Sequence, residues 1–270
     1  MKWLARIFNF YINSSIHVAL AVVCLTLISL KKLNLEQDYT LVLFIFFGTI
    51  TGYNFVKYSG VARLHHSSLT DSLKIIQIFS LICFSIWIYY VFKLPFQFLL
   101  ACLPLGFLTL FYAFPLFPAH KNLRRIPSLK IFVIAAVWAG ATVYLPVIYH
   151  DLSWNEEIVI MLVQRFLIVL ALIIPFEIRD FKYDDAELGT VPQRIGVFKT
   201  KQVGLFLLIT FLVLEYFQKD LNYENLALAL IVTIITSVAI ILAKENQDKY
   251  YSSFWVEAIP IMWWSFYAIF

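Results

Sequence analysis

The stretch IPFEIRDFKYDDAELGTVPQRIG, residues 174–196, joins two opposite kinds of sequence. Its first residues complete a long apolar run, and four acidic residues follow within the eight positions 180–187. The whole chain is 61% apolar, 18% aromatic and only 14% charged, whereas roughly a quarter of the residues in soluble proteins are charged. We therefore expect lipid to surround most of the chain, and the acidic stretch to lie where a membrane-spanning helix ends.

The apolar residues form continuous runs of membrane-spanning length. A helix needs about 20 mostly apolar residues to cross the hydrocarbon core of a bilayer, and the sequence lacks the alternating ten-residue segments typical of a β-barrel. It therefore predicts an all-α, polytopic integral membrane helical bundle in which residues 1–270 form a single transmembrane domain. The nine predicted spans are approximately 12–30, 40–58, 73–92, 96–114, 129–149, 157–178, 202–217, 226–243 and 254–270.

The basic residues predict how the bundle is oriented. Lys and Arg in short loops mark the cytoplasmic side of a membrane. With a cytoplasmic N-terminus, 16 of the 21 basic residues fall in inner segments, four fall in outer loops and Arg165 falls inside a span. We expect the N-terminus and the loops after the second, fourth and sixth spans to be cytoplasmic, and the C-terminus to lie on the outer side. The net charge of +4 indicates only that the inner face is basic, as expected beside anionic lipid headgroups, and we expect no nucleic-acid partner.

The acidic cluster has the spacing of a metal site. Asp180 and Asp184 are four residues apart, which places both side chains on one face of a helix. Mg²⁺ binds one or two carboxylates and completes its octahedron with water and the phosphate oxygens of a substrate. Asp185 is a possible third ligand, and Arg179 and Lys182 can contact the remaining phosphate oxygens. A solvated acidic loop, neutralised locally by these two basic residues, is the alternative interpretation.

RDFKYDD, followed by TVPQRIG, resembles the second aspartate-rich motif of the UbiA-type intramembrane prenyltransferases. In that family an Asp-x-x-x-Asp helix end leads into a Thr-Leu-Pro-like turn and a Gly. The resemblance implies that Asp180 and Asp184 are catalytic, metal-binding residues, and that Thr190, Pro192 and Gly196 form the turn. The loop between them is one residue shorter than the family pattern, and the Gly-Lys usually found there is not in place.

The resemblance also implies a fold and a reaction. The nine spans and the basic inner-loop stretch LRRIPSLK, residues 123–130, are similar to the same family. A UbiA-like bundle is therefore implied, together with Mg²⁺ as cofactor. The implied reaction is transfer of an isoprenyl group from its diphosphate to an apolar aromatic or quinone-type acceptor within the bilayer.

The first aspartate-rich motif of that family, Asn-Asp-x-x-Asp-x-x-x-Asp, should lie at the inner end of the second span. That segment reads YNFVKYSGVAR, and Asn54 keeps the place of the family's Asn. Residues without a carboxylate occupy the three aspartate positions: Phe55, Tyr58 and Ala62. Lys57 and Arg63 are close by in sequence, and cationic side chains can bind phosphate without a metal. We therefore expect one Mg²⁺ on Asp180 and Asp184, facing Lys57 and Arg63.

Two other functions stay open at this point. A protein of the same fold that has lost catalysis could bind a lipid, a quinone or an isoprenoid ligand, and the missing first motif favours that alternative. A transporter would show inverted repeats and interrupted helices with charges at mid-membrane. The sequence shows no internal repeat, and only Arg165 is charged near mid-membrane.

Ionisable groups inside a span are costly in lipid and are therefore paired or functional. Arg165 lies about 60° around an ideal helix from Asp180, so both can face one cavity, although pairing of Arg165 with a neighbouring span is the alternative. Glu257, near the start of the ninth span, is open to a structural or a catalytic role. Glu215 is expected to reach the membrane interface, and His17 to be a hydrogen-bonded packing residue.

Overall fold

The computed structural model describes residues 2–58, 71–113, 129–182, 189–218 and 222–269, and these ranges contain helices and no strand. Ten helices follow one another along the described ranges. They are α1 (Lys2–Asn13), α2 (Ile16–Lys32), α3 (Tyr39–Tyr58), α4 (Asp71–Val91), α5 (Phe96–Ala113), α6 (Leu129–Tyr149), α7 (Glu156–Asp180), α8 (Val191–Tyr216), α9 (Tyr223–Leu242) and α10 (Ile259–Ile269).

Seven of the described helices, α3 to α9, are long and apolar enough to cross a membrane. Helices α1 and α2 meet at an angle of 53° and together give an eighth candidate span. α10 has only 11 residues, well short of the roughly 20 that a span needs. The prediction of an all-α polytopic membrane bundle is thus confirmed, while a count of nine spans is not confirmed by the described part of the chain.

Helix α8 begins eleven residues before the predicted span 202–217, at Val191. Thr190 precedes its first turn, and the Gln193 side chain accepts a hydrogen bond from the Thr190 backbone N–H at 2.9 Å. This is half of a capping box, which satisfies N–H groups at a helix start. Gly196 then bends the helix, because its φ of 80° lies in a region that glycine adopts most easily.

Contacts between helix ends show that successive helices run in opposite directions. Lys57 at the end of α3 donates to Asn13 O at 3.3 Å, and His17 at the start of α2 bonds Phe254 O at 2.9 Å. The expected packing role of His17 is confirmed, since its other ring nitrogen bonds a tyrosine hydroxyl. The ends of α3, α5, α7 and α9 and the starts of α2, α4, α6, α8 and α10 thus share one end of the bundle, termed here the site end.

The core of the bundle lies around α2, α6 and α7. In the 18-residue apolar segment of each helix, 61% of the residues of α7 and 56% of those of α6 are buried inside the protein, but only 11% of those of α4 and of α5. Large apolar side chains on the outer helices, such as Phe107 on α5 and Phe206 on α8, are more than half exposed. Lipid rather than protein therefore covers the outer faces, as expected of a membrane bundle.

At the end opposite the site end, a buried ion pair joins α2 to α8. The Glu215 carboxylate accepts from Lys32 Nζ at 2.6 Å and 2.9 Å, and from Gln164 Nε2 on α7 at 2.8 Å. Glu215 is only 3% exposed, so the expectation that it reaches the membrane interface was wrong. The reason is that the Glu215 side chain points from α8 into the bundle. There Lys32 neutralises its charge, and Gln164 donates a further hydrogen bond to it.

Arg165 also belongs to this opposite half of the bundle. Its guanidinium donates to Leu25 O at 2.6 Å and to Ser29 Oγ at 3.0 Å on α2, and lies 5.9 Å from the ring centre of Trp263. It therefore packs against a neighbouring helix and does not reach the acidic end of α7, so the alternative of pairing within the bundle describes it correctly.

Replacing Glu215 by Ala should destabilise the protein by about 3–5 kcal/mol, because Lys32 would stay buried without its counter-charge. Thermal unfolding in detergent, followed by intrinsic fluorescence, measures the change. Glu36→Ala is the matched control, since Glu36 is an exposed loop carboxylate. Equal melting temperatures for the two variants would contradict the importance of the buried pair.

Candidate functional site

Two adjoining cavities open between the helices at and above the site end. The first has a volume of about 210 Å³ and is termed the polar cavity. Charged residues of three helices or their flanks line it: Lys130, Glu177, Asp180 and Glu257. The second has a volume of about 290 Å³ and is termed the apolar cavity, because its described lining contains no charged residue. Both cavities share Tyr53, Tyr112, Ile134 and Trp138, so they meet along these side chains.

Asp180 is the last residue of α7 and lines the polar cavity. The Arg179 guanidinium donates to both of its carboxylate oxygens, at 2.7 Å and 3.1 Å. About a third of each of the two side chains remains exposed. Asp180 thus stands at the predicted place, a helix end beside a cavity, with a cation already bound to it.

The buried ion pair of Glu177 and Lys130 was missed by the sequence analysis. Glu177 Oε1 lies 2.7 Å from Lys130 Nζ, and the Glu177 side chain is only 2% exposed. The pair joins α7 to the start of α6 across the polar cavity. Two signals pointed to it: Glu177 precedes Asp180 by three residues, a same-face spacing, and Lys130 ends the basic stretch 123–130.

Tyr53 and Trp138 stand at the junction of the two cavities. The Trp138 indole N–H donates to the Tyr53 hydroxyl at 2.6 Å, which links α3 to α6. Each residue lines both cavities. A ligand that extends from one cavity into the other must therefore pass along these aromatic rings.

Asn54, predicted to bind substrate, holds helices together in the structure. Its side chain is 3% exposed. The amide nitrogen donates to Ser14 O at 3.0 Å and to Ser80 Oγ at 2.8 Å, and the amide oxygen accepts from Ser15 Oγ at 2.8 Å. Its hydrogen-bonding groups thus already have partners on two segments, the α1–α2 junction and α4, and Asn54 is not among the residues that line either cavity.

Lys57 and Lys182, both predicted to bind substrate, lie in different surroundings. Lys57 at the end of α3 bonds Asn13 O and lies within electrostatic range of Glu257 at the polar cavity. Lys182 is largely exposed and turns away, donating to Asn246 at 2.9 Å in the segment after α9. The other predicted site residues, Arg63, Asp184 and Asp185, lie outside the described residues.

The described residues fit Mg²⁺ only in part. A carboxylate is the ligand that Mg²⁺ prefers, and Asp180 offers one, but both of its oxygens already accept from Arg179. Within the described ranges, no three His, Cys, Asp or Glu side chains lie close enough together to hold a metal ion. Asp180 is therefore the one described residue that fits the predicted metal set.

These features define an all-α, polytopic integral membrane protein with an internal chamber that is charged at one end and apolar at the other. No family model and no curated protein sequence matches the chain significantly. Solved structures do match it over nearly its whole length. A UbiA homologue from Archaeoglobus fulgidus, described as bound to DMAPP and Mg²⁺, superposes with a TM-score of 0.65 at 12% identity, covering 97% of this chain and 98% of the homologue.

A second solved structure is that of a digeranylgeranylglyceryl phosphate synthase, with a TM-score of 0.55 at 17% identity. The match covers 96% of this chain and 94% of the synthase. The chain therefore has the fold of the UbiA-type intramembrane prenyltransferases. The predicted resemblance to that family is thus confirmed at the level of the fold, while the residue correspondences in the aspartate-rich motif stay a prediction.

Replacing Lys130 by Met should destabilise the protein by about 3–5 kcal/mol, because it breaks the buried ion pair with Glu177. Adding Glu177→Gln should recover part of the loss, since the double variant no longer buries that carboxylate charge. Thermal unfolding in detergent measures all three proteins.

The control for this prediction is Lys182→Met, which removes an exposed pair with Glu245 at 3.5 Å. Exposed pairs contribute about 0–1 kcal/mol. A Lys130 variant that is no less stable than the Lys182 variant would show that the buried pair does not stabilise the chamber.

Proposed function

We propose that the protein is a membrane prenyltransferase that moves an isoprenyl group from its diphosphate to an aromatic or quinone-type acceptor. The observation that carries this proposal is the joined pair of cavities, with carboxylates at the site end and an apolar chamber behind them. An isoprenyl diphosphate has the same division, a highly charged head on an apolar chain. The fold shared with solved prenyltransferase structures supports the same proposed function.

The polar cavity is the proposed site of the diphosphate. Asp180 would hold Mg²⁺ together with Asp184 and Asp185, and the ion would neutralise charge on the phosphate oxygens. Arg179 lies against Asp180 and can bind phosphate directly once the carboxylate turns to the metal, since a guanidinium suits phosphate geometry. Lys57 and Arg63 would add cationic contacts from the α3 side, where the family's first motif is missing.

The apolar cavity is the proposed site of the isoprenyl chain. Aromatic residues of α3, α4 and α6 line it, among them Phe44, Trp87 and Trp138. When the bond from carbon to the diphosphate oxygen breaks, an allylic cation forms. Aromatic faces attract cations by up to roughly 2 kcal/mol when desolvated, and the apolar walls exclude water that would capture the cation. The site end would face the cytoplasm, where diphosphates are available.

A non-catalytic protein of this fold that binds a lipid, quinone or isoprenoid ligand is the second candidate. Two observations favour it. Phe55 and Tyr58 replace aspartates of the first motif, and Asp180 is already engaged by Arg179. Such a protein would bind an isoprenoid in the apolar cavity without turning it over.

Asp180→Asn should abolish Mg²⁺-dependent binding of prenyl diphosphates and reduce turnover, because the amide carries no charge for the metal. Purified protein in detergent is incubated with radiolabelled dimethylallyl, geranyl or farnesyl diphosphate, with and without Mg²⁺. The acceptors are 4-hydroxybenzoate and 1,4-naphthalenediol, one charged phenol and one uncharged hydroquinone. Glu156→Gln, an exposed carboxylate on the same helix, is the control.

Wild-type product that needs Mg²⁺ and is lost in Asp180→Asn supports the transferase. Tight binding of the diphosphates without product from either acceptor favours the non-catalytic candidate. Wild-type binding and turnover retained in Asp180→Asn would overturn the proposed role of the acidic motif.

Gly106→Leu should shorten the isoprenyl chain that the protein accepts. Gly106 lines the apolar cavity, and a Cβ added there would meet no atom within 4 Å. A leucine side chain therefore has open space at this position in the cavity lining. Because each excluded methylene costs about 0.8 kcal/mol, affinity for farnesyl diphosphate should fall about tenfold or more, while affinity for dimethylallyl diphosphate changes little.

The matched control is Gly106→Ala, which adds a single methyl group at the same position. It should bind both diphosphates like the wild type, and both variants should keep the wild-type melting temperature. Equal losses for the short and long substrates would show that the isoprenyl chain does not occupy this cavity.

A further inference from the structure

Glu257 enters the polar cavity from a part of the chain that carries neither aspartate-rich motif. It follows a π-helical turn at Tyr251–Val256, and its backbone N–H donates to Ser252 O at 3.2 Å, before α10 begins at Ile259. π-helical turns are rare and are often found at functional sites. The turn places this carboxylate in the wall of the cavity that Asp180, on α7, also lines.

The carboxylates of the polar cavity differ in their partners. Glu177 is paired with Lys130 at 2.7 Å, and Asp180 accepts two bonds from Arg179. Among the described residues, the Glu257 carboxylate has no hydrogen bond and no ion pair. Its lone pairs are therefore free to accept a proton.

Glu257 is nevertheless close to the centre of the chamber. It lies within electrostatic range of the Tyr53 hydroxyl, which stands at the junction of the two cavities, and of Tyr11 from α1. Lys57 from α3 and Arg179 from α7 act on it electrostatically, and in the described part of the chain neither forms a hydrogen bond with its oxygens. Burial disfavours the charged form of this carboxylate, and the two cations oppose that effect without bonding its oxygens.

Prenyl transfer needs such a group. When the C1–O bond breaks, its electron pair leaves with the pyrophosphate and C1 becomes an allylic cation. An electron pair of the acceptor then forms the bond to C1, from an aromatic carbon or from a hydroxyl oxygen. That carbon or oxygen must afterwards lose its proton, and an apolar chamber without bulk water requires a side chain to take it.

We propose that Glu257 accepts the proton that the acceptor loses after the new bond to C1 has formed. The electrons of the broken C–H or O–H bond stay with the acceptor, and the proton binds to a Glu257 oxygen. Asp180, as a proposed metal ligand, and Glu177, paired with Lys130, are engaged elsewhere during this step. This assignment rests on the proposed function, and it adds a catalytic residue from outside both aspartate-rich motifs.

Glu257→Gln separates proton removal from the earlier steps. The test uses geranyl diphosphate, Mg²⁺ and the acceptor that the wild type prenylates in the panel above. Product formation should fall by about 100-fold or more, the lower range for loss of a general base. The Kd for geranyl diphosphate should not change, because binding of the diphosphate does not need the base.

Glu257→Asp keeps a carboxylate but shortens the side chain by one methylene, so the carboxylate lies farther from the acceptor. This variant should restore part of the rate. Proton removal then becomes slow, so an acceptor deuterated at the reacting carbon should show a primary isotope effect that the wild type lacks. A purely structural role for Glu257 would not produce such an effect. If Glu257→Gln folds poorly, Glu257→Asp alone still tests the proposal. Glu156→Gln is again the exposed control.

The outcomes distinguish the two levels of the proposal. Wild-type rates in Glu257→Gln, or a loss of geranyl diphosphate binding there, would overturn the assignment of Glu257 alone. A wild type that gives no prenylated acceptor would overturn the proposed function, and the assignment with it.

Discussion

The constraint on which this structure depends is that a charge buried in a membrane bundle must find its partner inside the bundle. Lipid supplies neither counter-ions nor hydrogen bonds, and an unpaired ionic group there is costly. The bundle meets this constraint at both ends with a buried ion pair, Lys32 with Glu215 and Lys130 with Glu177. The first joins α2 to α8 and the second joins α6 to α7, so the two pairs fix which helices surround the central α7.

The chamber follows from that arrangement. Because the Glu177–Lys130 pair holds the ends of α6 and α7 together, the polar cavity lies between charged side chains whose positions are set by the fold. The Tyr53–Trp138 hydrogen bond then ties α3 to the same wall and marks the start of the apolar cavity. Charge at the mouth and aromatic surface behind it are therefore consequences of how the helices are joined, and they suit a ligand with an ionic head and an apolar chain.

The sequence predicted most strongly what continuous apolar runs dictate. The spans 40–58 and 129–149 agree with α3 and α6 within a residue, because uninterrupted apolar runs leave little choice of boundary. The start of α8 was missed, since its first turns are polar and basic and are set by Thr190 and Gln193 rather than by hydropathy.

At the site, Asp180 was found because its charge interrupts the apolar pattern at a helix end. Glu177 was missed because its partner, Lys130, is distant in sequence, and only packing brings the two together. The roles of Asn54 and Glu257 likewise depend on contacts between helices that no local pattern contains.

At 12% and 17% identity the fold is shared with prenyltransferases while almost all side chains differ, so the chemistry of this chain has to be argued from its own residues. The loss of carboxylates at Phe55 and Tyr58 removes negative charge from the α3 side of the chamber, and Lys57 leaves that side positive. A diphosphate would then meet cations from α3 and carboxylates from α7, which reduces the number of metal ions needed to neutralise it. A carboxylate from the α10 side, Glu257, lines the same polar cavity and has no hydrogen bond or ion pair within the described ranges, so it is free of both tasks. The residues at the first-motif positions and the unpaired acid thus fit a single redistribution of charge within one shared helical fold.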